Sequence, residues 1–410
     1  MKKLRTTLKN KTSNITLVLF TSLFPYEGGE AFLENEIKYL SSAFKKIIIV
    51  PTKKTRKRRK LQNNVEVDNT IADSKTRYFY KIKSLFGKYF RSNITLNFNE
   101  LKYLFKNAIY VENIKRWIIN FLTNNNVELV LFYSYWFEAP TAALTLAKFK
   151  YPNLKFVTRV HGGDLYEHLY GLEIFPFRQK IISNITHVFP ISEIAINHLL
   201  SKYNFHKNKI TVSRLGVMPT NTLTKSSSDK KLRIVSCSNL IPIKRIDLLI
   251  TALALIKDKE IIWTHIGDGE LKNNLEILAK TKLANNIQYK FLGYLENREV
   301  LNYYKTNPVD IFINVSSSEG IPVSIMEAQS FGIPVIATDV GGTKEIVNNE
   351  NGLLLKSNPT SKDILNALLN VIENKNFWQK KRQASFNTWK TKFNAENNYK
   401  NFINNLAKIL

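Results

Sequence analysis

The feature that most restricts the fold of this chain is the regular alternation of short apolar runs with segments long enough to form helices. The runs consist of consecutive Val, Ile, Leu and Phe residues rather than alternating apolar and polar ones, which is typical of parallel strands buried on both faces. Strands separated by helices predict an α/β protein with doubly wound parallel sheets. The runs are residues 15–21, 46–51, 129–134, 155–160, 187–191, 210–215, 233–238, 261–266, 288–292, 310–315 and 334–338.

A polar stretch at residues 219–231 interrupts this pattern, which then begins again. Because the stretch has no periodicity, it is the best candidate for a linker. We therefore expect two Rossmann-like domains, 1–218 and 219–390, followed by a terminal helical segment at 391–410. Apolar residues make up 44% of the chain and charged residues 23%, a globular mixture that excludes disordered and collagen-like classes.

The chain has a single cysteine, Cys237, which excludes an intramolecular disulfide and a tetrahedral cysteine zinc site. This usage fits a reducing compartment. The apolar run at residues 15–20 is too short for a signal-peptide core or a membrane span. We therefore expect a cytoplasmic protein, either soluble or peripheral at the inner face of the membrane.

The chain is strongly basic, with 60 Lys and Arg residues against 33 Asp and Glu and a net charge of +27. Residues 53–60, KKTRKRRK, follow a predicted strand and should form an exposed loop. Residues 75–91 combine aromatic side chains at helical spacing with Lys and Arg, which predicts a basic amphipathic helix suited to an anionic membrane surface. The alternatives are a core-facing helix with a basic outer face, and a surface that is basic for compositional reasons.

Glycines and polar residues follow several predicted strands, where ligands of open parallel sheets bind. They are Gly28-Gly29, His161 before a Gly-Gly-Asp turn, the turn that contains Lys244, the Gly267-Asp268-Gly269 turn, and the loop that begins near Glu319. Both predicted domains contribute, which indicates a cleft between two domains. Gly28-Gly29 lacks the full G-x-G-x-x-G fingerprint, so an NAD site is disfavoured.

The most specific of these groups pairs Glu319 with Glu327, eight residues apart. A helix beginning near Pro322 or Val323 would leave Glu319 on the preceding loop and Glu327 about one turn inside. The amides at such a helix start can bind an anion, and carboxylates accept hydrogen bonds from sugar hydroxyls. Together they describe a nucleotide-sugar site. The alternative is one Glu that caps its own helix and a second one in solvent.

Lys244 and His161 also fit a nucleotide-sugar site. Lys244 can neutralise a diphosphate, although an ordinary solvated lysine is the alternative. His161, with Arg159 and Asp164 nearby, can hydrogen-bond a sugar hydroxyl, or it is held by the backbone of a turn. We expect no metal and no cofactor, because neither an H-E-x-x-H motif nor a D-x-D triplet follows a strand.

Residues 319–342, EGIPVSIMEAQSFGIPVIATDVGG, resemble the E-x7-E block of the retaining glycosyltransferases of family 4, which have the GT-B fold. Residues 237–253, CSNLIPIKRIDLLITAL, resemble the phosphate-binding turn of that family. HIGDGELKNNLE, FLGYLENREVLNYY and VHGGDLYEH stand in the expected order. The resemblance implies two Rossmann-like domains facing each other across a cleft, an acceptor-side first domain, a donor-binding second domain and a terminal helix that crosses back to the first domain.

The resemblance also implies the reaction and the roles of its residues. A hexose-type sugar would move, with retention, from a nucleotide-diphospho-sugar to a lipid-linked glycan of a capsule, lipopolysaccharide or exopolysaccharide. Glu319 would hold the donor sugar, Lys244 the leaving diphosphate, and His161 would face the reacting sugar. Glu327 would hold the ribose. The remaining donor-binding positions are Asn239, Gly320, Ile321, Val323, Ser324, Gly28, Gly29, Gly267, Asp268 and Tyr294.

The sequence departs from the family pattern at two positions. Asn239 stands where many members have Arg, so either Arg245 compensates for the missing charge or Asn239 donates neutral hydrogen bonds. Pro322 stands where many have Gly and removes one backbone donor. Two other functions remain open: a nucleotide-sugar epimerase on the same fold, and a nucleic-acid-binding protein that uses residues 53–60, although no helix-turn-helix, RNP or zinc pattern accompanies them.

Overall fold

A computed structural model describes residues 11–30, 32–73, 97–220, 222–229 and 231–410. The chain divides into two units, the first formed by Met1–Arg214 together with Tyr399–Leu410 and the second by Leu215–Asn398. The basic aromatic helix predicted for residues 75–91 lies outside the described residues.

The first unit is built on a six-stranded parallel sheet with the order β3-β2-β1-β4-β5-β6. Because the chain proceeds from β1 towards β3 and then returns to place β4 on the other side of β1, the order reverses between β1 and β4. Its strands are β1 (Thr16–Thr21), β2 (Lys46–Pro51), β3 (Val65–Val67), β4 (Val130–Ser134), β5 (Lys155–Val160) and β6 (His187–Pro190).

Helices connect these strands and cover the sheet. The longest, α3 (Phe98–Thr123), begins at a capping box in which the Asn97 side chain accepts from the Glu100 amide at 3.0 Å and the Glu100 carboxylate accepts from the Asn97 amide at 3.1 Å. The helices are α1 (Leu33–Ser41), α2 (Thr70–Asp73), α3 (Phe98–Thr123), α4 (Ala139–Lys148), α5 (Gly162–Leu165), α6 (Arg178–Asn184) and α7 (Glu193–Lys202).

Both faces of this sheet are buried, which confirms the interpretation of the uninterrupted apolar runs. Val18 and Phe20 of β1 lie in one core cluster, while Leu17 and Leu19 lie in a second cluster. That second cluster also contains Phe402, from a helix near the end of the chain. The last residues of the chain are therefore part of the hydrophobic core of the first unit.

The second unit repeats the design with a six-stranded parallel sheet of order β12-β11-β10-β7-β8-β9, which reverses between β7 and β10. Its strands are β7 (Leu232–Cys237), β8 (Ile261–Ile266), β9 (Ile287–Phe291), β10 (Ile311–Asn314), β11 (Val335–Thr338) and β12 (Gly352–Leu355). The helices are α8 (Ile246–Leu253), α9 (Lys272–Lys282), α10 (Asn297–Thr306), α11 (Val323–Ser330), α12 (Ser361–Glu373) and α13 (Lys375–Thr388), and α14 (Ala395–Ile409) ends the helical series. The predicted class, α/β with two doubly wound sheets, is confirmed.

Some predicted elements are wrong in detail. Residues 210–215 do not form a strand. Ile210 makes a single bridge to Val188, and the Thr211 and Ser213 amides donate to β6 carbonyls, but the Ser213 carbonyl accepts from the Arg159 guanidinium at 2.5 Å. The short strands β3 and β12 were not predicted. Helix α11 begins at Val323, one of the two predicted starts, and Pro322 precedes it with an extended backbone.

Candidate functional site

Lys244 and Glu319 lie next to each other at the carboxyl ends of two strands of the second unit. Lys244 ends a short 3₁₀ turn after β7, and Glu319 lies on the loop after β10. The Lys244 Nζ and Glu319 Oε1 atoms are 2.6 Å apart, and the Asn314 side-chain amide donates to the same oxygen at 3.2 Å. Because β7 and β10 are neighbours where the sheet order reverses, two residues distant in sequence form one charged pair.

A glycine loop after β11 supports the backbone of Glu319. Gly342 donates to the carbonyl of Gly320 at 2.6 Å. A Cβ atom on Gly341 would lie 1.8 Å from the Glu319 carbonyl oxygen, and Gly341 has a φ of +52°. A side chain at this position would therefore displace Glu319. Nothing in the sequence indicated the contacts of Gly341, Gly342 and Asn314, although Gly341-Gly342 ends the block EGIPVSIMEAQSFGIPVIATDVGG.

Glu327 is buried inside helix α11. Its Oε1 atom accepts from the Asn297 side-chain amide at 2.5 Å, and burial raises the pKa of its carboxyl group to about 7. A carboxyl group with this pKa changes its protonation state near neutral pH. Asn297 was also missed, because it comes from the first residue of α10 and only the fold brings it to Glu327.

The start of helix α11 supplies backbone donors to the same region. Val323 and Ser324 are its first two residues, and amides at these positions have no partner within the helix itself. Ile321 is buried, and its side chain would block a Cβ atom on Gly342 at 2.6 Å. Ile321 therefore packs the loop, whereas Val323 and Ser324 are the residues with amides suited to an anion.

Loops after β7, β8 and β9 contact one another through their backbones. Leu240 donates to the Asp268 carbonyl at 2.9 Å, and Gly267 donates to the Gly293 carbonyl at 2.9 Å. A Cβ atom on Gly267 would lie 1.9 Å from the Ser238 carbonyl oxygen, so this glycine is needed for packing. Asp268 pairs with Lys272 at 3.1 Å, and Asn239 and Tyr294 are exposed on the same loops.

The Arg245 side chain forms hydrogen bonds within the second unit. Its guanidinium donates to the carbonyls of Val315 at 2.6 Å and Ser316 at 2.8 Å, and to Ser357 and Asn358 on a later loop. These bonds join the end of β10 to the segment after β12. The geometry therefore favours a structural role for Arg245 over compensation for Asn239.

His161 lies directly after β5 in the first unit and is buried among aromatic rings. Its ring centroid lies 4.8 Å from that of Tyr135, 4.7 Å from that of Trp136 and 5.8 Å from that of Phe32. Burial, with the charge of Arg159, lowers the pKa of His161 to about 3, so the imidazole is neutral at pH 7. Its Nε2 atom has no hydrogen-bond partner among the described residues.

The neighbours of His161 hold the loop in place. Asp164 accepts from the backbone amides of His161 and Phe137, both at 2.6 Å. Arg159 forms a fully buried ion pair with Glu36 at 3.1 Å. Asp164 therefore shapes the turn that presents His161, whereas Arg159 is part of the core.

Gly28 and Gly29 lie in the loop after β1, and the residue that organises this loop is Glu30. The Glu30 carboxylate accepts from the backbone amides of residues 22, 23 and 24 at 2.6, 2.9 and 2.7 Å, and from Trp136 Nε1 at 2.9 Å. A Cβ atom on Gly29 would lie 2.6 Å from Leu23 Cβ. Helix α1 begins at Leu33, after this loop, and Glu30 connects the loop to the Trp136 ring that packs on His161.

Part of the basic run at residues 53–60 packs against the same loop. Lys57 pairs with Glu27 at 2.9 Å, and Arg59 pairs with Glu34 and donates to the Gly29 carbonyl at 3.0 Å. The five other cations of the run are exposed, and one of them, Lys54, pairs with Asp73; the others are Lys53, Arg56, Arg58 and Lys60.

No group of three or more His, Cys, Asp or Glu side chains in the described part of the chain is arranged to hold a metal ion. Among the helices of the described ranges, none is both long enough and apolar enough to cross a bilayer.

Whole-chain comparison with solved structures identifies the class of fold. A glycosyltransferase from Rickettsia africae superposes with a TM-score of 0.67 over 97% of this chain and 98% of that chain, at 18% sequence identity. This likeness, with the two doubly wound sheets, establishes the GT-B fold that the sequence predicted.

Sequence comparison then relates the second unit to a family. Residues 221–388 match the family model described as Glycosyl transferases group 1. The chain is 28% identical over 212 residues to the amylovoran biosynthesis glycosyltransferase AmsK of Erwinia amylovora, covering 49% of this chain and 51% of AmsK. It is 33% identical over 115 residues to an Escherichia coli UDP-Gal:α-D-GlcNAc-diphosphoundecaprenol α-1,3-galactosyltransferase, covering 28% of each. The chain thus spans about half the length, or less, of these curated relatives.

Proposed function

We propose that this chain is a retaining, metal-independent glycosyltransferase that transfers a hexose-type sugar from a nucleotide-diphospho-sugar to an acceptor. The observation that carries the proposal is the pairing of Lys244 with Glu319 at the switch point of the second sheet, in the segment that matches the glycosyltransferase model. A cation for a diphosphate, a carboxylate for sugar hydroxyls and a helix start for an anion are present in one place.

On the donor side, Lys244 and the amides of Val323 and Ser324 stabilise the charge that develops on the leaving diphosphate. Glu319 accepts hydrogen bonds from the donor sugar, and Glu327 accepts them from the ribose diol. The oxygen of Glu319 is already held by Lys244 and Asn314. This arrangement fixes the carboxylate for binding and does not favour it as a nucleophile.

The transfer breaks the bond between the anomeric carbon and the diphosphate oxygen, and the electron pair leaves with the diphosphate. The acceptor hydroxyl bonds to the anomeric carbon on the face that the diphosphate leaves, and its proton passes to the departing phosphate oxygen. The ring proton of the neutral His161 is directed to the Tyr135 backbone, so Nε2 accepts a hydrogen bond from a hydroxyl of the reacting sugar. The protein's contribution is then positioning and electrostatic stabilisation.

The acceptor that we propose is a lipid-linked glycan of a surface polysaccharide. The names of the two relatives support this, since one acts in amylovoran biosynthesis and the other on a diphosphoundecaprenol-linked sugar. We place the enzyme in the cytoplasm, at the inner face of the membrane, on the basis of the basic residues of 75–91.

The membrane part is tested by sedimentation with vesicles that contain anionic phospholipid. Binding should fall strongly when Lys81, Lys83 and Lys88 are replaced by Glu, and vesicles of neutral lipid serve as the control. Equal binding of the variant and the wild type would remove the membrane contact and leave the donor site unaffected.

The enzymatic part is tested by calorimetric binding of UDP-, GDP-, ADP- and CMP-sugars. We expect one nucleotide class to bind, with affinity reduced at least about tenfold in Lys244→Ala, because a charged contact to the diphosphate is lost. Lys280→Ala, an exposed lysine of α9, is the matched control and should bind as wild type does. Absence of binding by every donor would overturn the proposal, and conversion of a donor without acceptor would identify an epimerase instead.

A further inference from the structure

A second candidate site is a cavity in the first unit, at the carboxyl ends of β1, β2 and β4. Its volume is about 260 Å³, which suits one sugar ring with a small substituent. The strand ends contribute Ser22, Lys53 and Trp136, and helix α3 contributes Tyr103 and Lys106. The cavity therefore combines aromatic and cationic side chains.

The cavity lies at the edge of the first sheet beside the two strands between which the strand order reverses. The strand order of the first unit reverses between β1 and β4, and the crevice beyond such a reversal is where doubly wound sheets bind ligands. The same rule, applied to the second unit, selects the Lys244–Glu319 pair. The cavity is thus the place in the first sheet where a ligand is expected on topological grounds.

Two aromatic rings of the cavity are held by other residues. The Trp136 indole donates to Glu30 at 2.9 Å and lies 4.7 Å from the ring of His161. The Tyr103 ring packs edge-on against Tyr170, with centroids 5.7 Å apart. Rings that are fixed in this way offer apolar faces to a pyranose ring at little cost in side-chain entropy.

The charged residues of the cavity favour an anion. Lys53 and Lys106 are exposed, and within the described ranges neither is in an ion pair. Glu138 also lines the cavity and can accept hydrogen bonds from hydroxyl groups. Two lysines match the charge of a phosphate group, which lysine binds as a point charge.

We propose that this cavity binds a glycosyl phosphate, a sugar with a phosphate or diphosphate on its anomeric carbon, as the acceptor of the transfer. The sugar ring lies on Trp136 and Tyr103, and the phosphate lies between Lys53 and Lys106. The contact of Trp136 with His161 connects this site to the residue assigned to the reacting sugar. The inference rests on the proposed function and names the chemical class of its acceptor.

The test measures quenching of tryptophan fluorescence by α-D-glucose 1-phosphate, α-D-galactose 1-phosphate and N-acetyl-α-D-glucosamine 1-phosphate. We expect saturable binding of at least one probe, weakened at least about tenfold in the double variant Lys53→Ala/Lys106→Ala. Lys102→Ala, an exposed lysine of α3 outside the cavity lining, is the matched control and should bind as wild type does. Methyl α-glucoside should bind much more weakly than the phosphates.

A decyl diphosphate ester of the same sugar distinguishes a lipid-linked sugar from a soluble sugar phosphate as the ligand of this cavity. Tighter binding of the ester identifies the head of a lipid-linked sugar, and equal binding identifies a soluble sugar phosphate. The inference is overturned if no sugar phosphate binds, if inorganic phosphate binds as well as the sugar phosphates, or if the double variant binds like wild type.

Failure of this inference is separable from failure of the proposed function. The double variant should bind the nucleotide sugar as wild type does, since neither Lys53 nor Lys106 is among the residues assigned to the donor. If wild type binds a donor but no sugar phosphate, only the acceptor assignment is wrong. If no donor binds, the proposed function fails whatever the cavity does.

Discussion

Glu327 is the residue whose charge state most directly links structure to pH dependence. Burial raises the pKa of its carboxyl group to about 7. The ionised form accepts stronger hydrogen bonds from a ribose diol than the neutral form, and it becomes populated as pH rises through that value. We therefore predict that nucleotide-sugar affinity increases between about pH 6 and about pH 8, measured by calorimetry.

The matched variant for this prediction is Glu327→Gln, which keeps the shape of the side chain and has no proton to lose. Its donor affinity should be weaker than that of wild type at pH 8 and independent of pH. A Gln variant with the same pH dependence as wild type would show that another group titrates.

The Nε2 atom of His161 is the feature through which we propose that the first unit takes part in the reaction. Its neutral ring packs among aromatic side chains, and its Nε2 atom has no partner in the described part of the chain. His161→Phe should keep the packing and remove the hydrogen-bonding atom. We predict a melting temperature close to that of wild type and a turnover number lowered by about a hundredfold.

Exposed His206→Phe is the control for His161→Phe, and its turnover should be that of wild type. Thermal denaturation and initial rates are measured on the same preparations. Full activity of His161→Phe would remove His161 from the reaction.

Lys244, Glu319 and Glu327 could be proposed from the sequence because their residue types and spacing carry chemical meaning. It did not identify Asn314 or Asn297, which hold the two carboxylates. An asparagine has no distinctive signal in a sequence, and its partner depends on which strands and helices become neighbours. Side chains proposed to contact the substrate were thus easier to select from the sequence than the side chains that hold them.

At the scale of the element, the glycine loop after β11 determines the position of Glu319. A Cβ atom on Gly341 would lie 1.8 Å from the Glu319 carbonyl oxygen. Gly341→Ala should lower the free energy of unfolding by about 1–3 kcal/mol, because the left-handed backbone is strained by a side chain. We also predict at least about tenfold weaker donor binding by the folded protein, because Glu319 must move.

Gly352→Ala is the matched control for Gly341→Ala. Its Cβ atom would lie 2.0 Å from the Val335 carbonyl oxygen, a similar clash between β12 and β11. This variant should lose stability but bind donor normally in its folded fraction, as measured by denaturation and calorimetry. Equal donor binding by both variants would contradict the role of the loop in placing Glu319.

Strands could be predicted from the sequence where burial of both faces is enough to define them. The long apolar runs form parallel strands because both faces of each sheet are covered. The error at residues 210–215 arose because the pairing with β6 does not continue: the Thr211 and Ser213 amides donate to β6, but the Ser213 carbonyl accepts from the Arg159 side chain. The three residues of Val65–Val67 form a strand that is too short to show a pattern. Local pattern therefore predicts central strands better than edge strands.

At the scale of the whole molecule, the end of the chain completes the core of the first unit. Phe402 of α14 is buried, packs edge-on against Phe189 with centroids 5.0 Å apart and lies 4.2 Å from the Arg159 guanidinium carbon. Phe402→Ala should lower the free energy of unfolding by about 3–5 kcal/mol, because it leaves a cavity over a buried ion pair. Chemical denaturation measures this change.

The control for Phe402→Ala is Phe98→Ala, since the Phe98 side chain is 79% exposed. Its stability should differ from wild type by less than about 0.5 kcal/mol. A Phe402 variant as stable as the Phe98 variant would mean that the last helix does not contribute to the core of the first unit.

The central claim is that the second unit holds a nucleotide sugar at Lys244, Glu319 and Glu327. It is tested most directly by a crystal structure of the protein with the nucleotide sugar that binds best. The account predicts diphosphate oxygens within hydrogen-bond distance of Lys244 Nζ, the ribose diol on the Glu327 carboxylate and a sugar hydroxyl on Glu319. A diphosphate bound away from Lys244, with Glu327 out of reach of the ribose, would contradict it.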